Sequence, residues 1–244
     1  MQIDLNADLG EGMGDDAAML DVVTSANVAC GGHAGDAASM RAVCRAAVAR
    51  GARIGAHLSY PDVVGFGRVA MDLPTEVLMA SLRDQLDQLT TAALAEGGRV
   101  TFVKPHGALY HRVAGDPEVA DLVVSVARPA GLAVVGLPGS VVLRRAAAAG
   151  LVTIPEAFAD RGYLPDGGLV PRDQPGAVLR YPELVASRMV GLVRDGAVAA
   201  VDGTMVAVTA RSICVHSDTP GAVAIARAVR AGLVAAGVQI AAVT

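Results

Sequence analysis

Seven short apolar runs of strand-like composition recur along this chain, and a segment with helical spacing follows most of them. Parallel strands need a crossover connection, usually a helix, so this alternation predicts a parallel sheet. Seven such units fit either a closed seven-unit barrel or an open doubly wound sheet, and the alternation leaves both open. The predicted strands cover residues 2–6, 25–30, 53–57, 100–104, 132–135, 152–155 and 212–215.

Helix and turn signals between these runs agree with the alternation. Asp116-Pro117 and Thr219-Pro220 each place a capping oxygen before a proline, which is favoured at the first helical position. Residues 198–208 differ from the rest, because apolar runs flank Asp202-Gly203 and predict a hairpin inserted before the last strand.

The length and the apolar content suit one large barrel. Barrels of this type often use about 200 to 250 residues as one domain, and this chain has 244 residues, of which 53% are hydrophobic. No stretch rich in glycine and serine or in proline divides the chain. We therefore expect a single α/β domain, a (β/α) barrel covering residues 1–244.

Charge and hydropathy exclude several classes of protein. A formal net charge of −4 argues against nucleic-acid binding. The longest uncharged stretch, 129–143, is shorter than the roughly 20 apolar residues that span a bilayer. The first residues show no secretory signal. The cysteines, Cys30, Cys44 and Cys214, show no CxxC spacing, and Cys30 and Cys214 are interpreted as small buried hydrophobes. These features predict a cytoplasmic protein without disulfides.

Polar and ionisable residues follow six of the seven predicted strands. The carboxyl ends of barrel strands carry the active site, so residues distant in the chain converge there. Four of the five histidines belong to this set. We therefore expect a functional site that includes Asn6, Asp8, Glu11, His33, Asp36, His57, Lys104, His106, Asp160, Arg161, His216 and Asp218.

Several of these residues also have an ordinary structural interpretation. Asp36 and Asp218 can each cap a following helix. Asp160 and Arg161 can form an ion pair on a loop, and a lone histidine at a strand end is more often structural than catalytic. The recurrence of such residues at most strand ends is harder to explain by structural roles alone.

Lys104 stands out by composition. It is the only lysine among 20 basic residues, so the other 19 are arginine. A lysine retained after a buried strand indicates a role that needs a compact ammonium group whose pKa can shift. Chance survival of one lysine is the alternative.

Two glycine-rich segments, 10–14 and 31–35, let backbone N–H groups approach a ligand. Neither has the spacing of a phosphate-binding loop or of a dinucleotide fingerprint. We therefore expect that this chain does not bind ATP by itself.

Longer motifs extend from the first strand to the last helix, and together they resemble the LamB/YcsF family. The resemblance is specific because the motifs occur in the family's order without large gaps. They are DLNADLGEG (4–12), ANVACGGHAGD (26–36), GAHLSYPD (55–62), GFGR (65–68), VKPHGALY (103–110), EAFADRGY (156–163) and ICVHSDTPG (213–221).

This resemblance implies a seven-unit (β/α) barrel related to glycoside hydrolases and polysaccharide deacetylases. It implies hydrolysis of 5-oxo-L-proline to L-glutamate with ATP cleavage, as the A subunit of a 5-oxoprolinase with separate B and C subunits. ATP would then be consumed by the complex and bound by those partners. A homo-oligomer and a divalent metal are both left open. The family's site positions carry over onto the residues named above, except Asn6, which follows from its place at a strand end.

The chemistry of lactam opening assigns expected roles. A lactam carbonyl is a poor electrophile, and ATP coupling is explained if a partner phosphorylates its oxygen. His106 or Asp8 is then expected to be the general base and Lys104 the electrostatic stabiliser. Glu11, His33 and Asp36 are expected to orient water, and Arg161 to hold the substrate carboxylate. His57 is expected to belong to the catalytic group. The residues expected to bind the substrate with Arg161 are Asn6, Asp160, His216 and Asp218.

Two alternatives remain open at this level. Asp8 with two of the histidines can bind a divalent cation with an open position, as in a metal-dependent deacetylase or amidohydrolase. The chain can also be a non-catalytic subunit that only binds and delivers the lactam.

Overall fold

A closed barrel of parallel strands forms the centre of the structure, a computed structural model that describes residues 1–243. β1 to β6 pair in chain order, β9 pairs with β6, and β1 pairs with β9 to close the barrel. This closure confirms the seven-unit barrel and excludes the open sheet. Within these residues the strands are β1 (Gln2–Leu9), β2 (Ser25–Ala29), β3 (Arg53–Leu58), β4 (Val100–Pro105), β5 (Ala133–Gly136), β6 (Thr153–Phe158), β7 (Ala197–Ala199), β8 (Met205–Ala207), β9 (Ser212–His216) and β10 (Gln239–Ile240).

Helices follow the barrel strands and cover the outside of the barrel. They are α1 (Asp16–Leu20), α2 (Ala37–Arg50), α3 (Thr75–Ala95), α4 (Gly107–Gly115), α5 (Pro117–Ala127), α6 (Val141–Ala148), α7 (Pro182–Asp195) and α8 (Ala222–Ala235), with a 3₁₀ turn at Arg128–Ala130. Two helices, α4 and α5, follow β4, and a single helix follows each other barrel strand. None of the helices in residues 1–243 combines the length and apolar composition needed to cross a bilayer.

One predicted helix start is confirmed and the other is wrong. α5 begins at Pro117, and the Asp116 carboxylate accepts hydrogen bonds from the first turn. α8 begins at Ala222 instead of Pro220, after Gly221 with φ +78. The Thr219 hydroxyl donates to Asp160, so it does not cap the helix. A tertiary hydrogen bond therefore overrides the local capping signal.

The inserted hairpin is confirmed. β7 and β8 pair in antiparallel fashion, with Val198 opposite Val206, and they form a separate two-stranded sheet before β9.

The barrel interior is polar along β1. Successive side chains of a strand point to opposite faces. Leu5 and Leu9 belong to the main hydrophobic core, whereas Asn6 and Asp8 accept hydrogen bonds from Asn27 on β2. Interiors of such barrels are usually filled by branched apolar side chains. Buried polar groups here take that place, and their partners fix their orientation.

A small apolar cluster fills the barrel near the amino-terminal ends of β4, β5 and β6. Gly55 on β3 makes room for it, because a Cβ there would lie 2.0 Å from the Phe102 ring. Because this cluster fills the amino-terminal end of the barrel, ligands can enter only at the carboxyl ends of the strands. The cluster consists of Phe102, Ala133, Val135, Ile154 and Val243.

Candidate active site

A cavity of about 400 Å³ opens at the carboxyl ends of the barrel strands, where the sequence predicts a site. Most of the predicted site residues line this cavity, and some do not. Those that line it are Asp8, Glu11, His57, Lys104, His106, Arg161, His216 and Asp218. Those that lie behind or away from its walls are Asn6, His33, Asp36 and Asp160.

Lys104 is the centre of a buried charge network. Its Nζ lies 3.0 Å from Asp8 Oδ1 and 2.9 Å from Glu156 Oε1. Burial disfavours the ammonium charge, but Asp8 and the other nearby acidic groups outweigh burial and raise the pKa of Lys104 well above its ordinary value. The sequence indicated a lysine whose pKa can shift, and burial by itself would shift that pKa toward neutrality. The structure shows the opposite shift, so Lys104 supplies a fixed positive charge.

Asp8 lies between this ammonium and the imidazoles. It accepts hydrogen bonds from Lys104 and from Asn27 Nδ2 at 2.8 Å, and His57 Nε2 lies 3.5 Å from its Oδ2. Burial alone would raise the pKa of Asp8, but His57 and Lys104 lower it well below its ordinary value. A carboxylate with so low a pKa is a poor general base at neutral pH.

Three imidazoles form a compact cluster beside Asp8. His33 stacks on His106 with ring centroids 3.7 Å apart, and its Nε2 lies 2.8 Å from Glu11 Oε1. His106 Nδ1 lies 2.9 Å from His57 Nε2. Burial and the neighbouring imidazoles lower the pKa of His106, whereas Asp8 outweighs burial and raises the pKa of His57.

The ring nitrogens of His106 are both occupied. Its Nδ1 faces His57, and its Nε2 lies 3.0 Å from the carbonyl oxygen of Phe66. A general base needs a free lone pair that can reach a water molecule. The expected role of His106 or Asp8 as general base therefore does not fit the structure.

His216 has the orientation that a general base needs. Its Nδ1 lies 3.0 Å from Asp160 Oδ1, and because a carboxylate only accepts, Nδ1 carries the proton. In the neutral ring the opposite nitrogen, Nε2, carries the lone pair, and it lies 4.0 Å from Asp8 Oδ2. The ring stacks on Phe158 and lines the cavity. Asp160 is fully buried and also accepts a hydrogen bond from Thr219, so it holds the imidazole in one tautomer.

The cavity lining also carries arginines. Arg68 and Arg172 come from separate loops, and both donate to Asp218 Oδ2. Arg161 instead donates Nε to the Ala177 carbonyl and Nη2 to a second backbone carbonyl. Burial and the nearby Arg172 lower the pKa of Arg161 to about 10. With two of its donor nitrogens committed, Arg161 holds the loop in place. It is a weaker candidate for the substrate carboxylate than Arg68 and Arg172, whose side chains are 39% and 30% exposed.

Asp36 does not belong to the cavity. Its exposed carboxylate accepts from Ser39 N at 2.7 Å and caps α2, while the Ser39 hydroxyl oxygen accepts from the Asp36 backbone N–H at 2.8 Å. The structural interpretation of Asp36 is therefore correct, and the expectation that it orients water is removed.

Asn6 lies one layer below the cavity. Its amide donates to Glu156 Oε1 at 2.8 Å, and its Oδ1 is 3.3 Å from Lys104 Nζ. It is 2% exposed and, unlike Lys104, is not among the residues that line the cavity. Asn6 therefore supports Lys104 and does not contact a ligand in the cavity, contrary to the expected substrate-binding role.

Sequence reasoning missed several residues of the site. Glu156 is completely buried, binds Lys104 and accepts a hydrogen bond from the Tyr110 hydroxyl at 3.0 Å. The sequence signal for Glu156 was its place directly after an apolar run. The predicted strand ended at residue 155, so Glu156 was not counted among the site residues. Arg68 lies in the GFGR motif, and no local pattern distinguishes Arg172 from other surface arginines.

Two groups in the described residues have the donor types and spacing of a metal site: one of Glu11, His33, His57 and His106, the other of Asp8, Cys214 and His216. The second fits a cation poorly, because Lys104 Nζ already lies 3.2 Å from Cys214 Sγ and 3.0 Å from Asp8. Burial and Asp8 also raise the pKa of Cys214 well above its ordinary value, and metals bind the thiolate. The donors of the first group fit a cation.

The fold and the cavity define a seven-stranded (β/α)-barrel protein with an ionisable site at the carboxyl ends of its strands. A family 4 carbohydrate esterase from Streptomyces lividans shares this fold, with a TM-score of 0.53 and 14% identity over 100% of this chain and 93% of that chain. The chain belongs to the LamB/YcsF family, whose family model matches residues 3–244.

More similar proteins agree over the full length. The lactam utilization protein from Thermus thermophilus has a TM-score of 0.93 and 42% identity, with 100% of each chain covered. A relative from Streptomyces griseus subsp. griseus, named as the A subunit of 5-oxoprolinase, is 56% identical over 98% of each chain.

Proposed function

We propose that this chain is the A subunit of an ATP-dependent 5-oxoprolinase and hydrolyses 5-oxo-L-proline to L-glutamate. The observation that carries the proposal is the cavity, which is lined both by a buried ammonium–carboxylate–imidazole cluster and by a pair of arginines. Such a cavity suits a small amide that carries one negative charge. The names of the similar proteins from Streptomyces and Thermus support the same substrate class.

His216 is the proposed general base. Asp160 fixes its tautomer and leaves Nε2 free at the cavity wall. In this role Nε2 takes a proton from water as the water oxygen bonds to the lactam carbon. The ring C–N bond then breaks, and His216 returns the proton to the leaving nitrogen. This replaces the substrate-binding role that the sequence assigned to His216.

Lys104 is the proposed electrostatic stabiliser. Its fixed charge lies in a water-poor environment, where it stabilises negative charge that develops on the substrate more strongly than it would in water. Asp8, Glu156 and Asn6 hold the ammonium in position, so little reorganisation is needed during the reaction.

ATP and the partner subunits complete the proposal. The glycine-rich segments 10–14 and 31–35 lack phosphate-loop spacing, so the proposal places ATP binding on separate B and C subunits. Phosphorylation of the lactam oxygen there would make the lactam carbon a better electrophile for the water that this chain activates. Ring opening would then leave a glutamyl phosphate, and its hydrolysis would give glutamate and inorganic phosphate.

The test is an assay of glutamate release. We expect the purified chain with ATP to form little glutamate from 5-oxoproline, and we expect added B and C subunits to start release with one ADP per glutamate. Efficient opening of the lactam by the isolated chain without ATP would contradict the coupling. Metal-dependent acetate release from an N-acetyl substrate would favour the deacetylase alternative, and tight 5-oxoproline binding without turnover in the complete system would favour a delivery subunit.

The arginine wall gives a prediction about substrate binding. Replacing Arg68 and Arg172 with glutamine should raise KM for 5-oxoproline about 10- to 100-fold, because charged hydrogen bonds to the substrate carboxylate are lost. kcat should change much less. Steady-state kinetics of the reconstituted enzyme measure both constants.

A matched substrate separates recognition from cavity shape. For the same five-membered lactam without a carboxylate, kcat/KM should fall little in the double variant. Arg45→Gln, on the outer surface beside Glu96, serves as a control for loss of one arginine. If kcat/KM fell equally for both substrates, the arginines would maintain the loops through Asp218 and would not select the carboxylate.

A further inference from the structure

His57 and His106 face each other through two ring nitrogens, and both nitrogens cannot be unprotonated without a cation between them. His57 Nδ1 lies 3.1 Å from the Lys104 carbonyl oxygen, and His106 Nε2 lies 3.0 Å from the Phe66 carbonyl oxygen. Carbonyl oxygens only accept, so these outer nitrogens carry protons. In the neutral rings the inner nitrogens, 2.9 Å apart, both present lone pairs. A cation must lie between them, either a proton or a metal ion.

A third donor distinguishes these two cations. Glu11 Oε1 lies 3.5 Å from His106 Nδ1 and 3.7 Å from His57 Nε2. The three donor atoms therefore form a triangle with edges of 2.9, 3.5 and 3.7 Å. Tetrahedral coordination with bonds near 2.0–2.1 Å places ligand atoms roughly 3.3 Å apart. A shared proton explains one edge of this triangle, whereas a metal ion explains all three.

The surroundings of these donors resemble those of metal ligands. Metal-bound imidazoles almost always donate their outer N–H to a carbonyl or carboxylate, as both rings do here. His33 Nε2 lies 2.8 Å from Glu11 Oε1 and orients that carboxylate, while its ring stacks on His106. The donor set is thus supported on each side by groups that fix its direction.

Local charge also favours a divalent cation. Asp8, Glu11 and Glu156 carry three formal negative charges, and Lys104 carries one positive charge. The formal charges of these four groups sum to −2 when the imidazoles are neutral, and the buried Asp160 beyond His216 adds one more negative charge. Uncompensated buried charge is costly, and a divalent ion would offset most of it.

We propose that Glu11, His57 and His106 bind one divalent transition-metal ion, such as Zn²⁺. Two imidazoles and a carboxylate suit such an ion better than Mg²⁺ or Ca²⁺, which prefer oxygen ligands. All three residues line the cavity, so the remaining coordination position opens toward a ligand. An ion there would supply a Lewis acid beside Lys104. The site does not depend on the proposed hydrolysis, and a binding experiment tests it separately.

The experiment measures metal binding by the full chain after treatment with a chelator. Zn²⁺ or Co²⁺ is added, excess ion is removed, and bound metal is measured by elemental analysis. We expect one ion per chain, visible absorption typical of four-coordinate Co²⁺, and a higher unfolding temperature with Zn²⁺. Glu11→Gln and His106→Gln should each weaken binding at least about tenfold, whereas His111→Gln, on the same cavity wall, should leave binding unchanged.

The unfolding measurement on the unaltered chain keeps the proposal testable if a variant fails to fold. Absence of stoichiometric metal together with an unchanged unfolding temperature would overturn the site, and the imidazoles would then share a proton. Equal binding by the unaltered chain and a folded His57→Gln/His106→Gln variant would also overturn it.

Discussion

Replacing Lys104 with arginine should reduce turnover of the reconstituted enzyme by roughly 10²- to 10³-fold, the usual effect of losing one preorganised charge at a reacting centre. Lys104 is 1% exposed and has close contacts with Asp8, Glu156 and Cys214. The larger planar guanidinium keeps the charge but cannot occupy the same position. Overpacking should lower the free energy of unfolding by about 1–3 kcal/mol, leaving a folded protein. Steady-state kinetics and denaturant unfolding measure the two effects.

A charge-balanced control separates catalysis from stability. Lys104→Met alone leaves buried carboxylates unpaired and should cost about 3–5 kcal/mol of unfolding free energy. Adding Glu156→Gln restores the charge balance and should recover part of that stability without recovering turnover. Near-normal turnover in the double variant, or in Lys104→Arg, would show that the lone lysine has a structural role only.

His216→Asn should reduce kcat by about 10²- to 10⁴-fold, the range expected for loss of a general base. The asparagine amide can still donate to Asp160, so the buried carboxylate remains paired and the fold should persist. Asp160→Asn should give a loss of similar order, because an amide no longer fixes the imidazole tautomer that leaves Nε2 free. The measurement is kcat at saturating 5-oxoproline and ATP, with circular dichroism as the check on folding.

The matched control is His111→Asn, since His111 lines the same cavity but contacts neither Asp160 nor Asp8. It should retain most of the activity. A folded His216→Asn variant with kcat close to that of the unaltered enzyme would remove His216 as the base.

Strand positions could be predicted well from the sequence because the signal is local. Apolar runs bounded by glycine and polar residues located all the barrel strands to within a few residues, and the hairpin at 198–208 was found in the same way. The strand ends were less accurate. β1 extends to Leu9 and β6 to Phe158, because inward-facing polar residues continue a strand that an apolar count would end.

The candidate site could be located from the sequence, but its roles could not be assigned there. Parallel strands bring their carboxyl ends together, so residues after different strands had to converge. The direction of each hydrogen bond is not encoded locally. Asp36 and Asp160 look alike in the sequence, yet one caps an exposed helix and the other is buried against His216.

The sequence by itself determined the seven strand–helix units, the strand ends at which the site lies, and the residue types available there, because strand periodicity and chain order are local properties. The pairing of β1 with β9, which closes the barrel, is a tertiary contact. Only the tertiary structure decided that Lys104 stays charged, that His216 is free to act as a base, and that two imidazoles face Glu11. These properties depend on burial and on which neighbour accepts a hydrogen bond, and both arise from contacts between residues that are far apart in the chain.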